Sequence, residues 1–230
     1  VYAPAARRST IRIAAHSCII TLTCRSEADL QENPEARFTL AHELGHLILF
    51  RYGVSRPQTK KEYWIQEGLC DQFAREVLCP VDVFSKAEPK PSSIRDAMLL
   101  AERLAADYRV PLRAACDNVS QWAPEFRFAV IRRERDCLRV TASSFNDRKV
   151  RGTRLSVQDP VKRVLTTIRR QAEHRVLSSA ECQQCRSRFK LGEETSEFVA
   201  ARLDAHTWLL GAQMNVHRMV ERTDESGRAG

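Results

Sequence analysis

No stretch of this 230-residue chain approaches the roughly 20 consecutive apolar residues that a membrane-spanning helix needs, so no membrane partner is expected. The first residues, "VYAPAARRST", lack the apolar run of a secretory signal. The chain begins with Val rather than Met, and residues upstream are expected to be missing. Its 8 cysteines are scattered and too sparse for a disulfide scaffold. That usage suits a reducing compartment, so a cytoplasmic protein is expected. Internal repeats and low-complexity tracts are also lacking. A chain of this size can bury a core without staples. Any metal is therefore free to do chemistry.

Charge of one sign is short only in part of the chain. Residues 1–124 hold 16 Lys and Arg against 15 Asp and Glu, whereas residues 125–230 hold 21 against 14, giving +1 and +7 of the net +8. A basic second half can meet nucleic acid or an acidic partner. The plainer reading is a solvated, Arg-rich surface.

Along the chain, "IRIAAHSCIITLTC" is β-branched and apolar enough for one or two strands. A polar loop follows, broken at Asn33-Pro34. From Arg37 the period becomes helical, with Leu40, Leu44, Leu47 and Ile48 as an expected buried stripe. Gly53 and Pro57 end that helix. A second, "YWIQEGLCDQFAREVL", spaces Ile65, Leu69, Phe73 and Val77 by four and closes at Cys79-Pro80. Residues 85–92 read as a surface connection. Two more helices are expected from Ile94 to Trp122, with Pro111 at the start of the second. After Pro124 the texture turns to strands ("FRFAVIRR", "CLRVTASSF", "TRLSV"). A helix from about Asp159 to Val176 is expected next, then a hairpin of "FVAARLDA" and "TWLLGAQMNV". The fold class is α+β: residues 1–84, a helical segment 85–124, and a small α+β domain 125–230.

The chemistry concentrates in "RFTLAHELGHLILF". His42 and His46, four residues apart, project from one helix face. That spacing lets two imidazoles reach one zinc ion at about 2.0–2.1 Å. Glu43 is rotated by about 100° and is poorly placed to share the metal. It can instead reach a water in the open position and act as general base. This is the H-E-x-x-H logic of metalloproteases. The bland alternative, two satisfied core histidines, would bury three polar groups without evident partners.

A catalytic zinc wants a third protein ligand. The second helix offers Glu62, Glu67, Asp71 and Glu76. Glu67 lies mid-helix and the short link favours an antiparallel return, so it is the expected ligand. Asp71, one turn on, can accept a hydrogen bond from the other nitrogen of a liganding imidazole. A solvent-facing charge is the competing reading for it. Glu62 lies too near the helix start.

"RFTLAHELGH" followed by "EGLCDQFAREVLCP" resembles the ImmA/IrrE family of metallo-endopeptidases. Its members pair an R-F-T-x-A-H-E-x-G-H helix with a downstream E-x-x-A-N-x-F-A-x-x-L-x-P helix. Arg37, Phe38, Thr39, Ala41, His42, Glu43, Gly45 and His46 match the first block, and Glu67, Phe73, Ala74, Leu78 and Pro80 the second. Cys70 stands where Ala is usual and Asp71 where Asn is usual. The resemblance covers about residues 11–81. It implies a zincin-like domain with zinc on His42, His46 and Glu67, and Glu43 as general base. It further implies cleavage of a helix-turn-helix repressor, in a stress response or mobile-element induction. Longer IrrE-like members continue with a helix-turn-helix segment and a GAF-like domain, an order similar to that expected here.

Other signals carry less. The second helix of the 94–122 pair is expected to expose Arg113, Asp117, Asn118 and Gln121, a nearly neutral set that gives DNA contact little support. Cys182 and Cys185 have zinc-knuckle spacing, but only His174 lies near as a further ligand. Tyr63 and Trp64 precede the ligand helix and can line a substrate cleft, although packing is their default role. The sequence thus predicts a zinc endopeptidase acting on a protein partner. The rival is a regulator that keeps the metal but works by binding protein or DNA.

Overall fold

The computed structural model describes residues 9–14, 17–22, 31–134, 137–144, 154–155, 159–168, 174–189, 195–203 and 206–214. The chain divides into two compact units: Val1–Glu88 with Arg103–Ala115, and Pro89–Glu102 with Cys116–Gly230.

The first unit opens with an antiparallel hairpin of β1 (Ser9–Ala14) and β2 (Ser17–Leu22), Ile11 opposite Ile20. Helix α1 (Pro34–Arg51) starts where the sequence places a breaker. Asn33 is its cap, with Oδ1 accepting from the amides of Glu35 and Ala36, and Pro34 fills the first turn, where a missing N–H costs nothing. The helix ends as Gly53 takes φ 77°, a left-handed conformation that glycine adopts without penalty. The chain then folds back, and the Val54 amide donates to the Leu49 carbonyl at 3.0 Å.

Helix α2 (Lys60–Leu78) begins with a reciprocal cap. Thr59 Oγ1 accepts from the Glu62 amide at 3.1 Å, and the Glu62 carboxylate accepts from the Thr59 amide at 3.3 Å. Glu62 is thereby committed to the helix end. A short α3 (Val81–Ala87) follows Pro80.

The expected leucine stripe of α1 is not its buried face. Phe38, Ala41, His42, Glu43 and Gly45 are buried, while Leu44 and Ile48 are 40% and 39% exposed. The physical reason is the seam with α2. A Cβ on Gly45 would lie 3.1 Å from the Cys70 Cα, so the glycine lets the α2 backbone come close on the motif side. Ile65, Leu69 and Val77 of α2 are likewise exposed.

Helices α4 (Ile94–Asp107) and α5 (Leu112–Trp122) each contribute residues to both units. In the second unit a six-stranded antiparallel sheet has the order β5-β4-β3-β8-β7-β6. Its strands are β3 (Phe126–Glu134), β4 (Cys137–Ser143), β5 (Arg154–Leu155), β6 (His174–Val176), β7 (Thr195–Arg202) and β8 (Thr207–Met214). The hairpin expected from the last two runs is present, with Ala200 opposite Leu210. One sheet face builds a core from Ile131, Leu138 and Leu210 with Leu165 of α6 (Pro160–Thr167) and Phe189 of α7 (Ser179–Phe189). On the other face Gly211 meets α4: a Cβ there would lie 2.8 Å from side-chain atoms of Ile94 and Met98.

The helix expected to run to Val176 stops at Thr167. His174–Val176 instead pair with β7, His174 opposite Ala201. Helix α7 was absent from the sequence expectation. Among the described residues, no helix is long and apolar enough to cross a membrane.

Candidate metal centre

Helices α1 and α2 run antiparallel: His46 lies against Glu67 at 3.3 Å, and His42 lies against Asp71, one turn further along, at 2.8 Å. The two-helix seam therefore converges three side chains on one point. The Nε2 atoms of His42 and His46 are 3.2 Å apart, and Glu67 places one oxygen 3.3 Å from His46 Nε2 and the other 3.5 Å from His42 Nε2. Among the described residues, His42, His46 and Glu67 form the one group of three or more His, Cys, Asp or Glu side chains able to converge on an ion.

These separations test whether the residues fit zinc. Ligands about 2.0–2.1 Å from a tetrahedral centre stand roughly 3.3 Å from one another. The three observed edges, 3.2, 3.3 and 3.5 Å, match that figure. Two imidazole nitrogens and a carboxylate are also the donor set of several catalytic zinc sites. The residues fit.

Each of the three side chains is set by its surroundings. His42 is 9% exposed and Glu67 8%, and the two imidazoles cross edge-to-face at 72°. Asp71 Oδ1 lies 2.8 Å from His42 Nδ1, which turns Nε2 toward Glu67. Burial pushes the Asp71 carboxyl up. The hydrogen bond and charge of His42, with Arg113 and Arg75 nearby, outweigh this and hold it below the usual carboxylate range. Glu43, the base expected from the sequence, is 4% exposed on α1 and is not one of the three converging groups.

Beyond the ion site, a cavity of about 300 Å³ is lined by His46 and Glu67 together with Leu49, Val54, Tyr63 and Gln66. Gln66 Nε2 donates to the Ser55 carbonyl at 2.8 Å and fixes the α1–α2 loop as one wall. Tyr63, singled out from sequence, lines this space; Trp64 stacks on it edge-on at 5.2 Å.

One sequence reading does not survive. Asn118 is fully buried, so α5 does not expose all four of the residues expected on its outer face. Arg113 is engaged within the first unit, 4.6 Å over the Phe38 ring and 3.4 Å from Glu35. No pattern in the sequence pointed to that role. Cys182 and Cys185 are buried on α7, and burial first, then the neighbouring thiol and acids, pushes the Cys185 thiol up to about 12. His174 lies 3.1 Å from Glu102.

The profile of peptidase M78, the IrrE N-terminal-like domain, matches residues 28–120. This segment is similar to the metallopeptidase domain of the ImmA/IrrE family. Both helices of the site lie inside the matched segment. Among solved structures, a Mycobacterium tuberculosis transcriptional regulator is similar at a TM-score of 0.46 and 13% identity, over 94% of this chain. The chain spans 65% of the length of that regulator. No curated protein matches.

Proposed function

We propose that the chain is a zinc-dependent endopeptidase that cuts a protein partner, a helix-turn-helix transcriptional repressor, in the cytoplasm. The observation that supports this most is the trio of donor atoms spaced as the edges of a zinc tetrahedron, within a segment similar to a metallopeptidase domain. His42, His46 and Glu67 hold the ion. Asp71 fixes the His42 ring by accepting from Nδ1. A bound zinc supplies Lewis acidity, polarising a carbonyl and lowering the pKa of water. Glu43 takes the proton from the attacking water and returns it to the leaving amine. The repressor as substrate, and a role in stress response or mobile-element induction, rest on the family. Residues 1–84 are the peptidase domain, 85–124 a helix-turn-helix-like connector, and 125–230 a GAF-like sensor or structural domain.

Metal content and cleavage separate this from a regulator that works by binding alone. Wild type should purify with about one zinc per chain and Glu67→Ala with much less. Glu43→Gln should keep the zinc yet fail to cleave a co-expressed repressor. If repressor release in cells survives Glu43→Gln, proteolysis is not the function and the binding reading takes its place.

A further inference from the structure

The cavity beside the ion site is one-sided in charge. Among the described residues that line it, Glu67 is the only carboxylate, and Arg56 the only side chain with a permanent positive charge. In the function proposed above Glu67 is taken by the ion, and a divalent cation outweighs it. Arg56 then adds a second positive charge to a space whose apolar walls include Leu49, Val54, Pro57 and Tyr63. Low-dielectric walls around charge of one sign focus the field of a cleft and raise the local concentration of counter-charge.

Arg56 stands on a loop with little freedom. The Val54 amide donates to the Leu49 carbonyl at 3.0 Å, and Gln66 Nε2 to the Ser55 carbonyl at 2.8 Å. Gln58 Nε2 donates to the Arg56 carbonyl at 3.1 Å, and the Gln58 amide to the Glu62 carboxylate at 2.7 Å. Pro57 fixes its own φ between them. The backbone under Arg56 is thus held from both sides. Its exposed guanidinium, by contrast, forms no ion pair or hydrogen bond among the described residues. A held base lowers the cost of placing that cation against a ligand. The planar fork of a guanidinium matches a carboxylate in a bidentate pair. At about 300 Å³ the cavity is at the small end of ligand sites. His46 and Glu67 line the same space, so a peptide with its carbonyl at the ion lays a neighbouring side chain there.

We infer that Arg56 is a specificity-determining residue, which binds the carboxylate of an aspartate or glutamate beside the scissile bond of the substrate. The scissile bond in this statement rests on the endopeptidase reading; the choice of a carboxylate by the cleft does not. A hydrogen-bonded charge pair, discounted for the exposure of Arg56, gives a preference of about tenfold for the acid over its amide.

The probes are two pools of labelled, terminally blocked octapeptides, random in Leu, Ala and Glu or in Leu, Ala and Gln. Zinc-loaded wild type should cleave the Glu pool about tenfold faster, and mass spectrometry should find Glu at one fixed position beside the cut. Arg56→Gln should bring the two pools level, and Arg56→Glu should favour a third pool random in Leu, Ala and Lys. Fluorescence anisotropy with zinc-loaded Glu43→Gln reads the same preference as affinity, without turnover. That preference should vanish in Glu43→Gln/Arg56→Gln. Equal affinity of Glu43→Gln for the Glu and Gln pools overturns the inference, and so does a preference that persists without Arg56. Cleavage of both pools alike by wild type removes the role of Arg56 and keeps the endopeptidase. Tighter binding of the Glu pool, with no pool cleaved by wild type, keeps the carboxylate site and removes the endopeptidase.

Discussion

With an ionised carboxylate 2.8 Å from Nδ1 of His42, that nitrogen must carry the ring proton, because two acceptors cannot share the contact. Nε2 then keeps its lone pair and faces Glu67 and His46. Asp71 thus selects the tautomer that can hold a metal, a task worth about 10–100-fold in affinity where it has been removed elsewhere. Asp71→Ala should weaken zinc binding by about that factor in a chelator competition, while Asp71→Asn, whose amide oxygen still accepts, should lose less. Equal affinity in wild type and Asp71→Ala would refute this role. Since the Asp71 carboxyl sits below its ordinary range, its support is complete above that range and fades only as pH falls through the lowered value. The substitution of Asp for the family's usual Asn was legible in the sequence. The direction it imposes on His42 needed the 29-residue separation to be closed in space.

At the scale of elements, the motif helix was placed correctly by period but turned the wrong way by hydrophobic count. Leu44 and Ile48 outweigh Gly45 on any apolar scale, yet Gly45 marks the inner face. Pattern reading rewards large side chains, whereas a close helix seam is made by a missing one. The start of α2 was readable and was missed: Thr59-Lys60-Lys61-Glu62 has the form of a capping box, which assigns Glu62 to the helix end and removes it as a ligand candidate. The seam makes a specific prediction. A Cβ at position 45 would meet Cys70 Cα at 3.1 Å, Cys70 Cβ at 3.2 Å and the Phe73 ring at 3.3 Å, and the first of these is backbone. Gly45→Val adds a branched side chain to that contact and should cost about 1–3 kcal/mol by overpacking. Because the same seam sets the His46 to Glu67 distance, zinc affinity should fall with it. A Gly45→Val variant with unchanged melting temperature and zinc uptake would mean that the helices part freely.

Across the whole molecule, legibility fell where distant pairing overrode local preference. The hairpin of β7 and β8 was visible because two apolar runs flank a short turn. Residues 169–176 continue the helical texture of α6, yet His174–Val176 are drawn into the sheet by β7, a partner some 25 residues away that no local window contains. The same separation bears on the ion's influence. His42, His46 and Glu67 all belong to the first compact unit, while the sheet core of Ile131, Leu138, Phe198 and Leu210 belongs to the second. Zinc at 100 times its dissociation constant stabilises what it binds by about 2.7 kcal/mol, roughly a hundred-fold in the opening equilibrium. Amide exchange should therefore slow by up to that factor along α1 and α2, while β3, β7 and β8 exchange as they do without metal. Hydrogen–deuterium exchange with and without zinc reads both regions at once. An equal gain in protection across the sheet would show that the two units open together, and the ion would then be stabilising the chain as a single cooperative body.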